Sequence, residues 1–135
     1  MEQVIIRAVA GVLKLGDHVL MASRPEGKIH AGSWEFPGGK LEQNETAVAA
    51  LVRELNEEVG VAVDEDDCEH LTYIVQDYPH GQVQLDVVIV YKWQNEARAL
   101  EGQGMHWHDL TTPCMQEPLL ITTQKILDLL VTKFI

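Results

Sequence analysis

A chain of 135 residues with 46% apolar composition is sized for one domain, spanning 1–135, with a core of its own. Its 21 acidic against 10 basic residues leave a formal net charge of −11, which argues against duplex nucleic acid as a partner but not against a nucleotide, because bound metal ions invert the local sign. Cys68 and Cys114 lack CxxC spacing, no signal-peptide pattern opens the chain, and no apolar run is long enough for a bilayer, so a cytoplasmic location without a membrane partner is expected.

The β-branched, apolar run Gln3 to Leu15 predicts a strand. Gly16-Asp17 predicts a turn and His18 to Ser23 a second strand, paired with the first as a hairpin. Arg24 stands at its end, and 25–33, with Pro, Gly and Lys, reads as a mobile loop. Trp34-Glu35-Phe36-Pro37 reads as a short extended piece leading to Gly38-Gly39, glycines that permit close backbone approach. Lys40 is either a phosphate contact or a solvated side chain.

A helix follows, with Asn44 as its expected N-cap, Glu45 at the positive end of its dipole and Gly60 as its stop. Val48, Leu51, Val52, Leu55 and Val59 form its apolar stripe. Glu54, Glu57 and Glu58 stand at i, i+3 and i+4 and share a face beside that stripe, with Arg53 as the one nearby cation. Carboxylates this close repel one another, and a divalent ion such as Mg²⁺, which prefers oxygen ligands and is shared with phosphates, turns that repulsion into ligation. A merely solvated acidic face is the competing explanation.

Beyond the helix, Asp64 to Glu69 reads as an acidic surface loop and Leu71 to Tyr78 as a strand. Pro79-His80-Gly81 turns the chain into an alternating run from Val83 to Trp93, in which Asp86 is expected to be exposed. Residues 94–105 form a loop containing Glu101. His106 and His108 lie two apart on a strand and read as surface histidines. Residues 121–134 form the last helix, its stripe made by Ile126, Leu129, Leu130, Lys133 and Phe134. Strands mixed with two helices, and joined by hairpins, predict an α/β fold: a three-layer α/β/α arrangement whose sheet is not all parallel.

The spacing G-x5-E-x7-R-E-U-x-E-E-x-G-U, with U a bulky aliphatic, runs through Gly39, Glu45, Arg53, Glu54, Leu55, Glu57, Glu58, Gly60 and Val61. It resembles the Nudix box at every fixed position, and Trp34-Glu35-Phe36-Pro37 looks like the MutT-like branch of the Nudix hydrolases. The resemblance implies an α/β/α sandwich around a mixed sheet, with the box as a loop–helix–loop. It implies a pyrophosphohydrolase that cleaves a nucleoside triphosphate, with an oxidised guanine nucleotide as the expected substrate, to monophosphate and pyrophosphate.

Glu54, Glu57, Glu58, Glu101 and Gly38 are the implied residues for Mg²⁺, or Mn²⁺ in its place. Glu54 or Glu101 is the implied general base, with Arg53 orienting a glutamate. Arg24, Glu35, Phe36, Lys40 and Gln116 are the implied substrate contacts, although Phe36 is equally a core residue. Gln116 precedes Glu117-Pro118 where guanine-specific members carry Asn, so the amide is kept with one methylene more. Hydrolysis of cytidine or other diphosphate-linked substrates is the first alternative, and a non-catalytic nucleotide-binding module the second. The protein is expected as a monomer or weak homodimer.

Overall fold

The computed structural model describes residues 3–135; the first two residues of the expected 1–135 span lie outside the described residues. The chain runs β1 (Ile5–Leu15), β2 (His18–Ser23), β3 (Trp34–Glu35), β4 (Gly38–Lys40), α1 (Ala47–Val59), β5 (Cys68–Tyr78), β6 (Gly81–Val90), β7 (Met105–Asp109) and α2 (Ile121–Phe134). The strands follow the order β3-β2-β1-β6-β5, with β4 also paired to β1 and β7 to β2. β1 and β6 are parallel from Ile5↔Gln82 to Leu13↔Val90, and the other named pairs are antiparallel. The sheet is therefore mixed, as expected.

Period-two alternation divides the apolar side chains between two cores. Val9, Leu13, Val88 and Val90 pack beneath α1 with Leu51, Leu55 and Val59. Ala10, Val12, Val87 and Ile89 pack on the opposite face with Ile126, Leu127 and Leu130 of α2. Gly11 lies on the α1 side, where a Cβ would run into the Leu51 side chain, so the strand needs glycine there for the helix to sit close.

The start of α1 differs from expectation. Thr46 is the N-cap, its hydroxyl accepting from the Ala49 N–H at 3.1 Å. Asn44 instead turns the chain at φ +63°, a region asparagine tolerates better than most residues. Glu45 precedes this cap and so lies outside the first turn, and its carboxylate pairs with Arg53 two turns on. Gly60 ends the helix as expected, in the left-handed region with its N–H on the Asn56 and Leu55 carbonyls. Thr46→Ala should lower stability by about 1 kcal/mol, read as a shifted urea midpoint with an unchanged slope.

Other boundaries moved where pairing decided them. β5 begins at Cys68 rather than Leu71 and carries an irregularity between His70 and Thr72. β6 stops at Val90 rather than reaching Trp93, because its antiparallel partner begins opposite Val90. Past that point Tyr91 N–H donates to the Asp67 carbonyl, and Gln94 bridges to Ala62. Asp86 is not exposed as expected: β6 is an inner strand, and the carboxylate, 22% exposed, meets His70 Nε2 at 3.0 Å. His108 is likewise no surface residue, being 4% exposed, and His106 is half-buried edge-on against Trp34. Burial holds the His108 imidazole below its usual pKa, and the neighbouring His106 adds to the effect.

On α2 the buried stripe is Thr123, Ile126, Leu127 and Leu130, while Leu129 is 40% exposed. Counting only apolar residues misplaced that face, because Thr123 belongs to it and satisfies its hydroxyl on the Trp34 carbonyl at 2.9 Å.

Candidate active site

Four elements bring the candidate residues together: the β4 glycines, α1, the loop before β7, and the β2–β3 connection. Arg53 is the hub on α1. Its Nε and Nη2 each donate to Glu45 at 2.9 Å, its Nη1 donates to Glu54 at 2.9 Å, and Nη2 also donates to the Lys40 carbonyl at 3.1 Å. Glu57 Oε2 lies 3.5 Å from Nη1. Hydrogen bonds from the guanidinium, joined by the Glu42 N–H, hold the Glu45 carboxyl down to about 2. The same bonds to Glu45 hold Arg53 firmly cationic. Glu45 and Arg53 thus form a charge-assisted strut that fixes α1 to the loop before it.

The other carboxylates point into poorer solvent. Glu54 is 17% exposed, and its pKa is raised by burial despite Arg53. Glu58 accepts from the Gly38 N–H at 2.9 Å, yet burial, with Glu35, Glu101 and Glu54 nearby, pushes its carboxyl up to about 8. Glu35 is also pushed up by burial, against the pull of Arg24, which donates to it at 3.0 Å. Glu57 is open to solvent, 56% exposed.

The β4 glycines make this crowding feasible. A Cβ on Gly39 would fall within the Glu54 carboxylate, and one on Gly38 would strike the β1 backbone at Val9. Residues 98–101 run back along the end of α1, and Glu101 lies close enough to raise the pKa of both Glu54 and Glu58.

Carboxylates desolvated among like charges, and facing a backbone cradle that a methyl group would fill, fit a divalent cation with oxygen ligands. Glu54, Glu57, Glu58 and Glu101 are the side chains that could hold one. Among the described residues, no three His, Cys, Asp or Glu side chains are gathered closely enough to grip an ion as they stand. Glu54 is held by Arg53, and Glu58 by the Gly38 N–H.

The candidate substrate residues are more dispersed. Arg24 donates from Nε to the Ile29 carbonyl at 2.7 Å and from Nη1 to Glu35, so it braces the 25–33 loop. Further bonds close that loop, between Arg24 N–H and the Ser33 carbonyl and between Gly32 N–H and the Arg24 carbonyl. Phe36 is 3% exposed in the α2-side core, so its ring has no open face for stacking. Lys40 has an exposed side chain. Gln116 is half-buried in the segment that runs to β3, where Trp34 N–H donates to the Pro118 carbonyl at 2.8 Å.

Two features escaped sequence reasoning. Gln103 is 7% exposed, with both ends of its amide hydrogen-bonded. Tyr78 stacks on His80 with ring centroids 5.2 Å apart and lies near His30, and burial raises its pKa beside Arg24 and Glu35. Nothing in residue type or spacing marked either one, because both depend on loops that meet only in the fold. An open depression of about 520 Å³ bordered by Asp64, Asp67, Lys92 and Trp93 contains none of the candidate residues.

A model of the NUDIX domain matches residues 5–129. An 8-oxo-dGTP diphosphatase of Proteus vulgaris is 39% identical over 103 residues, covering 76% of this chain and 90% of its own. A CTP pyrophosphohydrolase of Escherichia coli K12 is 46% identical over 57 residues, or 42% of each chain. A solved MutT structure, from work on the Aliivibrio salmonicida and Vibrio cholerae proteins, superposes with TM-score 0.76 at 25% identity and covers 96% of this chain and 99% of its own. With its complete glutamate pattern, its mixed sheet between two helices and these likenesses, the chain belongs to the Nudix hydrolases, a family that uses divalent metal ions to act on phosphoric anhydride bonds.

Proposed function

We propose that this protein is a Mg²⁺-dependent nucleoside triphosphate pyrophosphohydrolase that releases monophosphate and pyrophosphate, with an oxidised guanine nucleotide such as 8-oxo-dGTP as its preferred substrate. The observation that carries the chemistry is the half-buried Glu58, bonded to the Gly38 N–H at 2.9 Å on the α1 face that it shares with Glu54 and Glu57. The substrate class rests on the 8-oxo-dGTP diphosphatase relative, which matches 76% of the chain.

When bound, the divalent ion neutralises charge on the phosphates and polarises the bond to be broken. Glu57, Glu58 and Glu101 would hold it, together with Gly38 from the β4 backbone. Glu54 is the general base: Arg53 occupies its Oε1 at 2.9 Å, which orients the carboxylate and leaves Oε2 to take a proton from water. Desolvation raises the basicity of that oxygen. Lys40, exposed on β4, meets the departing phosphates, and Arg24, held by Glu35, faces the nucleoside.

Selection of the base falls to Gln116, whose amide offers both a donor and an acceptor. Gln116→Ala should bring the 8-oxo-dGTP to dGTP ratio of kcat/KM down by about tenfold while the rate on dGTP stays within a few-fold, since a lost buried hydrogen bond is worth about 1–3 kcal/mol. Pyrophosphate release from a panel of nucleotides with Mg²⁺ tests the whole proposal. A wild-type ratio near one, with CTP turned over faster, would replace oxidised guanine by cytidine, the reading that the CTP pyrophosphohydrolase relative supports. No turnover of any nucleotide would leave a binding module.

A further inference from the structure

The loop that carries Glu101 is tied to the end of α1 at three points. Arg98 N–H donates to the Val59 carbonyl at 2.9 Å and Leu100 N–H to the Glu58 carbonyl at 3.1 Å. Carbonyls in the last turn of a helix have no donor within it, so the loop satisfies groups that would otherwise go unpaired. The third tie is a side chain. Gln103 donates from Nε2 to the Glu58 carbonyl at 3.0 Å, and its Oε1 accepts from the Glu101 N–H at 2.8 Å.

Gly102, at φ +74°, folds the chain back so that Gln103 reaches the N–H two residues before it. Beyond it the Gly104 N–H donates to Ser23 Oγ at 2.8 Å, and the Gly104 carbonyl accepts from the Ser23 N–H at 3.0 Å. The loop is therefore anchored both to α1 and to the end of β2 beside Arg24. Among the described residues no hydrogen bond reaches the Glu101 carboxylate itself, so its location follows from its backbone.

We infer that Gln103 is a positioning residue: its buried amide clamps the Glu101 backbone to the Glu58 carbonyl and so sets the Glu101 carboxylate beside Glu54 and Glu58 for metal binding. This rests on the proposed roles of Glu58 and Glu101. A buried glutamine that merely stabilised a loop would change folding stability and leave ion affinity alone. One that acts through Glu101 changes affinity, and does so only while Glu101 is present.

The test is Mn²⁺ binding without nucleotide, read from the electron paramagnetic resonance signal of free Mn²⁺. The proteins are the wild type, Gln103→Met, Glu101→Gln and the double variant, with thermal melts of each without metal. Met keeps the length and packing of Gln but makes neither bond. Gln103→Met should weaken Mn²⁺ binding by about tenfold, within the span of about 10–100-fold seen when groups that support metal ligands are lost. The double variant should bind no more weakly than Glu101→Gln alone. With nucleotide, Gln103→Met should lower kcat by about tenfold and leave KM within about twofold.

If Gln103→Met does not fold, Gln103→Asn, which keeps a buried amide one methylene short, takes its place with the same expected direction. Mn²⁺ affinity within about twofold of wild type, or losses at the two positions that multiply in the double variant, would overturn the inference. So would a wild type that binds no Mn²⁺. Absence of nucleotide turnover would sink the proposed substrate instead, while the Mn²⁺ cycle would still decide the role of Gln103.

Discussion

Glu58→Gln and Glu57→Gln should each cut kcat by about 10²–10³-fold, because an amide cannot supply the charge that a preorganised electrostatic site provides. Their effects on the metal-free fold should differ. The Glu58 carboxyl is raised from 4.5 to about 8, chiefly by burial, so the folded state binds more protons than the unfolded one between those values. Its stabilising contribution is complete below pH 4.5 and is lost as pH rises through about 8. Gln at this position can still accept from Gly38 and carries no charge to desolvate.

Metal-free Glu58→Gln should therefore melt higher than wild type at pH 8, and the two melting temperatures should converge toward pH 4.5. Glu57 is 56% exposed in a surface pair 3.5 Å from Arg53, so its replacement should leave melting nearly unchanged. Divalent metal should raise the wild-type melting temperature most, by binding only the folded state. Wild-type rates in both variants would remove these residues from the site. A Glu58→Gln melting temperature below wild type at pH 8 would show that the carboxylate is not held at a cost.

Gly39→Ala should also lower kcat by about 10²-fold, for a different reason. The atoms that a Cβ at this position meets are the carboxyl carbon and both oxygens of Glu54, the far end of a side chain that can yield. The fold should survive, with melting within a few degrees of wild type, while Glu54 is pushed from its bond to Arg53. Misplacing a catalytic group by about 1 Å is enough for a loss of that size. Gly38→Ala is the contrasting case, because its Cβ meets the β1 backbone at Val9 and Ala10, which cannot move without unpairing β4. It should reduce soluble yield as well as activity. Near-normal turnover by Gly39→Ala would show that Glu54 does not work from the place it occupies here.

The sequence by itself determined the acidic face of α1. Glu54, Glu57 and Glu58 share a face because a helix repeats every 3.6 residues, and Gly60 stops that helix because glycine enters the left-handed region without strain. The hairpin of β1 and β2 and the span of α2 were legible for the same reason: the signal lies within a few neighbouring residues.

Only the tertiary structure decided what depends on residues far apart in the chain. Thr46, not Asn44, caps α1, and Glu45 pairs with Arg53 two turns on. His108 and Asp86 lost their expected exposure because β7 pairs with β2, and β6 lies between β1 and β5. Phe36 went to the core beneath α2, although the family resemblance implies a substrate contact equally. Gln103 acquired two partners, one of them 45 residues away on α1. A buried polar side chain has to find donors and acceptors wherever the packed chain presents them, and local spacing does not encode which distant backbone atom that will be.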